Sequence, residues 1–196
     1  WDWIQGDTLI SGTTYHKLYR YKTCSGGGLP VLMFNGYFGA IRQDIIQKKV
    51  YYFSNSYSTE KLLYDFNLSI GDTISTLMNG PNNRVVFIDS IFMETSFRKR
   101  FWLSPLNSFP QGDSAYAALI EGLGSTHGLT EPIYIPFESG SVLGCFWKNG
   151  NAAYIDSLWA LSCSFATEIS EVLPRQLELF ISPNPSSGIF TINFSE

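Results

Sequence analysis

The sequence predicts an all-β chain, and three observations carry that expectation. Aromatic residues make up 16% of the 196 residues, with 15 Phe and 11 Tyr, and aromatic and β-branched side chains favour strands over helices. Turn signals recur along the chain while helical periodicity is scarce. Short apolar runs stand between those turns, at the spacing of a sandwich or barrel.

The elements follow in order. "DTLISGTTYHKLY" (7–19) has two strand-like runs around Ser11-Gly12 and reads as a hairpin. "KVYYF" (49–53) and "KLLYDF" (61–66) are short aromatic strands. "RVVFIDSIFM" (84–93) and "FRKRFWL" (97–103) form a pair around Glu94-Thr95-Ser96. "VLGCFWKNGNAAYI" (142–155) carries Asn149-Gly150 between its halves, a strong hairpin signal. The only helical expectations are short, near Ser114–Ala118 and Asp156–Leu161.

An internal repeat is also expected. At an offset of 82, "DTLISGTTYHKLY" lies over "DSIFMETSFRKRF" (89–101), which matches Asp7 with Asp89, Thr13 with Thr95 and Lys17 with Lys99. At the same offset "FGAIRQ" (38–43) meets "IEGLGS" (120–125), and at 80 "LLYDF" (62–66) meets "VLGCF" (142–146). The organisation expected is a β-rich domain over 1–165, built of two related units at about 7–66 and 89–146. "ATEISEVLPRQ" (166–176) is polar, contains Pro174 and reads as a linker. Residues 177–196 then open a further fold. Pro183 and Pro185 cannot donate to a ladder and end its first strand. Gly188 lets the backbone turn into the second. Two strands alone are marginal in water, so the remainder of that module is expected beyond Glu196.

The formal net charge is −4, which argues against a nucleic-acid partner, since that partner needs a basic face. No run of about 18 apolar residues is present to span a bilayer as a helix. There are two histidines, His16 and His127, and three cysteines, Cys24, Cys145 and Cys163, none in a CxxC pair. A zinc site is thus poorly supported, and no cofactor or metal is expected. On the residues alone, a Cys145–Cys163 bond and three buried thiols both stand.

The chemistry-bearing candidates are few. Arg42 and Glu121 fall close together in the repeat and suit either a cross-repeat ion pair or a ligand contact. Asp113 and Glu121 are candidate paired carboxylates of a glycosidase, whose separations of about 5 to 9 Å the sequence does not give. "GSTHG" places Ser125 near His127, but a nucleophile elbow needs Gly two residues either side of the Ser, and Leu123 and His127 stand there. Exposed tryptophans can stack on sugar rings, whereas buried ones simply pack. Trp147 follows Phe146, so the two should point to opposite faces. Trp147 and Trp102 are therefore the candidate ligand contacts.

"ISPNPSSGIFTINF" (181–194) resembles the opening of the type A C-terminal sorting domain of proteins exported by the type IX secretion system of Bacteroidetes. An apolar strand, the Pro183-Asn184-Pro185 turn, a small-residue turn ending at Gly188 and a second strand carry the resemblance. It covers about 177–196 and implies a β-sandwich address read by the secretion machinery. The body is similar to an uncharacterised β-rich region of such proteins, in "GDTLISGTTYHKLY", "GAIRQD", "LLYDFNLSIGDTI", "IEGLGSTHGL" and "LGCFWKNGNAAY". That likeness implies a Cys145–Cys163 disulfide and carries no established activity. The reading that results is an exported cell-surface or secreted domain with a binding or adhesion role and a glycan or protein ligand. The alternatives are a secreted hydrolase acting on polysaccharide or peptide, and a spacer for a catalytic domain elsewhere in a longer product.

Overall fold

The computed structural model describes residues 1–24, 31–54, 59–74, 82–106, 115–133, 140–156, 163, 179–182 and 191–194. Every described element is a β-strand, and the chain divides into two compact units, Trp1–Leu161 and Ser162–Glu196. Among the described residues no helix is long and apolar enough to cross a membrane.

The larger unit holds two five-stranded antiparallel meanders. The first runs in chain order through β1 (Asp2–Ile10), β2 (Thr13–Cys24), β3 (Val31–Asp44), β4 (Lys49–Phe53) and β5 (Glu60–Asp65). The second runs through β6 (Thr73–Ile74), β7 (Asn83–Met93), β8 (Ser96–Pro105), β9 (Ala117–Ile120) and β10 (Gly124–Ser125). A separate hairpin follows, β11 (Cys145–Lys148) with β12 (Asn151–Ile155). Local chemistry sets the turns. Ser11 and Gly12 both have positive φ, 48° and 81°, as do Asn149 and Gly150 at 51° and 79°. Two such residues in succession match the right-handed twist of the flanking strands. Ile10 then faces Thr13 and Lys148 faces Asn151, leaving two-residue loops.

One core joins the two meanders. Leu18, Tyr52, Leu63 and Tyr64 from the first pack with Val85, Phe101, Leu103 and Leu119 from the second, each no more than 6% exposed. Gly39 shows how closely β4 lies against β3 within the first meander. A Cβ there would stand 2.7 Å from the Phe53 carbonyl oxygen and 2.7 Å from the Tyr52 ring, so no other residue fits without moving backbone. Tyr52 crosses that gap and donates to the Phe38 carbonyl at 3.0 Å.

One expectation is corrected. Ala117 and Ala118, read as helical, begin strand β9, whose four residues are all buried. Pairing with β8, from Leu103↔Ala117 to Arg100↔Ile120, overrides the helical preference of alanine, which is a weak prior against tertiary context. The repeat blocks do not all share a local structure. The first pair does: β1–β2 and β7–β8 are both two-residue-turn hairpins with an extra residue in their first strand. "FGAIRQ" lies wholly inside β3, whereas "IEGLGS" turns at Glu121–Leu123 between β9 and β10. Leu62–Asp65 of "LLYDF" lie in β5, but Val142–Gly144 precede β11 outside any strand.

In the smaller unit β13 (Leu179–Ser182) pairs antiparallel with β14 (Thr191–Phe194), from Leu179↔Phe194 to Ser182↔Thr191. Pro183, Asn184, Pro185 and Gly188 lie outside the described residues, as do the linker 166–176 and the helical expectation beyond Asp156.

Candidate functional site

An open cleft of about 600 Å³ lies on the second meander, lined by residues that include Ile70, Arg84, Val86, Phe87, Asp89 and Trp102. Its geometry starts from a strand irregularity. The β7–β8 register shifts between Val85 and Phe87. Val85 is fully buried before the shift, while Phe87 is 54% exposed after it. Phe87 is thereby set directly opposite Trp102 on β8. Facing residues on paired strands stand close enough for their side chains to touch, so two aromatic groups share one side of the cleft.

Trp102 is held on two sides. The Arg100 guanidinium lies over its ring, 4.5 Å from the centroid, and the indole N–H donates to Asp89. Arg100 also grips Asp89 with Nε to Oδ1 at 2.8 Å and Nη2 to Oδ2 at 2.6 Å. These Arg100 bonds, with that from Trp102, hold the Asp89 carboxyl below its ordinary value despite some burial. Arg100 is raised in turn by Asp89. The indole is therefore fixed before any ligand arrives, and the carboxylate beside it is charged and neutralised.

The other sequence candidates do not join Trp102. Arg42 binds Glu60 on β5, with Nε to Oε1 at 2.5 Å and Nη2 to Oε2 at 2.6 Å. It sits 4.1 Å over the Tyr51 ring, and Tyr15 donates to Glu60 at 2.5 Å. Burial opposes the Glu60 charge, but the hydrogen bonds from Arg42 and Tyr15 outweigh it and the carboxyl lies below its ordinary value. Glu121 pairs with Lys48 at 3.0 Å rather than with Arg42. Arg42 and Glu121 thus each have an ion pair, but with partners other than those expected. Trp147 is half-buried on β11, and so is Phe146. The extra residue at that shift is Ala153 on β12, so Phe146 and Trp147 still alternate, yet neither ring is fully exposed.

The hydrolase candidates stay apart in chemistry. Asp113 lies outside the described residues. Ser125 is buried, and its Oγ accepts from the His127 backbone N–H at 3.0 Å. His127 stands edge-on to Tyr116, with Nδ1 buried and without a hydrogen-bond partner among the described residues, and burial lowers its pKa. Among the described residues no cluster of His, Cys, Asp and Glu could hold a metal ion. Cys145 and Cys163 are disulfide-bonded, and Cys24 is a free, exposed thiol.

Sequence reasoning reached Trp102 but missed Phe87, Asp89 and Arg84. "RVVFID" offered no signal, since a continuous apolar run reads as a strand buried on both faces. Comparison with known proteins adds no relative: no protein-family model, no curated protein and no solved structure matches this chain.

Proposed function

We propose that this chain is an exported domain, displayed at the cell surface or released, that binds a glycan at the Trp102 cleft without turning it over. One observation carries the binding reading: an indole pinned by Arg100 and Asp89 beside the exposed Phe87. A pyranose presents an apolar C–H face to such rings and hydroxyls to a neighbouring carboxylate and guanidinium. The volume falls within the range of ligand sites, roughly 300–1,000 Å³. The Asp89–Arg100 pair is internally neutral, which favours an uncharged ligand. Export is supported by the PNP resemblance at 183–185, and the disulfide suits an oxidising compartment. The secretion machinery would then be the partner of the C-terminal module.

Retention on immobilised neutral polysaccharides tests the binding. Wild type should be retarded, Trp102→Ala and Phe87→Ala should not, and no reducing ends should accumulate. Retention unchanged in both variants would sink the cleft. Turnover lost in Glu121→Gln would establish the hydrolase instead. A reporter fused to the completed C-terminal module should leave a secretion-competent cell, and a reporter left in the periplasm would remove the sorting reading.

A further inference from the structure

The groups that fix Trp102 have little left to offer a ligand. An ionised carboxylate has about four acceptor positions. Those of Asp89 serve Arg100 Nε, Arg100 Nη2, the Trp102 indole N–H and the Asp89 backbone N–H. The indole N–H is spent in that same contact. Two of the Arg100 nitrogens, Nε and Nη2, face the carboxylate, which leaves Nη1 as the donor for a hydroxyl. Hydrogen bonds can therefore choose little between one sugar and another here, and the choice falls to the rings.

The rings are two, and the sheet sets their spacing. Phe87 faces Trp102 across β7 and β8, and facing residues on antiparallel strands hold their Cβ atoms about 4.5–5.5 Å apart. That distance is close to the advance per sugar along an extended, equatorially linked pyranose chain. Arg100 covers one face of Trp102, so the opposite face is the one left for stacking. Ile70 and Val86 add apolar wall, and the cleft of about 600 Å³ exceeds the volume of a single pyranose.

We propose that the cleft takes an extended β-linked chain of pyranoses with equatorial hydroxyls, laid across β7 and β8 so that neighbouring sugars rest on Phe87 and Trp102. The inference rests on the glycan reading of this cleft and narrows its ligand. A sugar whose hydroxyls are all equatorial offers C–H groups on both faces. That suits a β-linked chain, in which successive sugars turn opposite faces to one side. An axial hydroxyl would lift the sugar off an aromatic ring and would be desolvated largely without a partner. An axial linkage would curve the chain away from the second ring.

Calorimetric titration of the whole chain with soluble sugars tests this. The probes are cellohexaose, β-linked mannohexaose with its axial 2-hydroxyl, maltohexaose with its axial linkage, and cellobiose against glucose. Cellohexaose should bind about tenfold more tightly than either other hexasaccharide, and cellobiose about tenfold more tightly than glucose, as for one further stacked ring. Phe87→Ala should abolish the advantage of cellobiose; that side chain is 54% exposed, so the fold survives its loss. Phe87-dependent binding of all three hexasaccharides at equal strength overturns the inference and leaves the cleft a glycan site. So does equal affinity for glucose and cellobiose in the wild type. No heat with any of these sugars, or binding that neither Phe87→Ala nor Trp102→Ala alters, overturns the inference and the site together.

Discussion

Two clusters in this molecule are built from the same parts. Arg42 grips Glu60 with two bonds, lies on Tyr51, and shares its carboxylate with a second donor, Tyr15. Arg100 grips Asp89 with two bonds, lies on Trp102, and shares its carboxylate with that same Trp102. The ion pairs are about equally exposed, 25% and 26% against 24% and 29%. What differs is the neighbouring space. Tyr15 is 5% exposed and closes the first cluster, while Trp102 and the exposed Phe87 border an open cleft. The comparison teaches that an arginine–carboxylate–aromatic cluster is a fastening by default. It becomes a candidate site only where one of its rings borders empty volume.

The sharpest way to break this distinction is to truncate a ring in each cluster. Trp102→Ala should weaken glycan retention by about thirtyfold, as for a hot-spot side chain worth ~2 kcal/mol. Tyr51→Ala should leave retention unchanged. Equal loss in both would erase the difference. A smaller effect separates the arginines. Arg42→Gln should destabilise the fold by about 1–3 kcal/mol, the cost of an unsatisfied partly buried partner, and spare retention. Arg100→Gln should lower both, because the indole loses its cover; urea midpoints alongside retention check the pair.

Acid should sharpen the comparison further. Folding lowers both Glu60 and Asp89 from ordinary values of 4.5 and 3.8. Each contributes stability that is present above those values and is lost as pH falls through the lowered folded ones. Glu60→Gln and Asp89→Asn should therefore flatten the acid limb of the urea midpoint, and an acid limb unchanged in either would assign that limb elsewhere. The smallest effect expected is at His127. Its folded pKa lies below 6.5 because of burial, so its contribution is intact above 6.5 and lost as pH falls from there. His127→Phe should remove that modest slope, measured by thermal melts across the same interval.

The hairpins were readable because their information is local: Ser11-Gly12 and Asn149-Gly150 announce positive φ without reference to anything distant. The partners of Arg42 and Glu121 were not, because Glu60 and Lys48 reach them only through strand pairing and the approach of two meanders. The wall of the cleft was hidden by a single extra residue, which turned Phe87 outward in a run that reads as uniformly buried. Alanine at 117 and 118 misled for the opposite reason. A propensity that is real in isolation yielded to the pairing offered by β8.

Tyr64 donates its hydroxyl to the Leu129 carbonyl, deep in the joint between the two meanders, and burial raises its pKa. Tyr15, Tyr37, Tyr52, Tyr116 and Tyr154 are raised as well, burial being the foremost cause in each. Their ordinary value is 10.0. The stability these phenols hold is whole below that value, and drains away as pH rises above it and the unfolded chain ionises first. Phenolate absorbance from the six should then climb together with the loss of near-ultraviolet dichroism, and not ahead of it. The aromatic interior would in that way act as an optical recorder of its own opening, with the alkaline edge of the fold written in ultraviolet light.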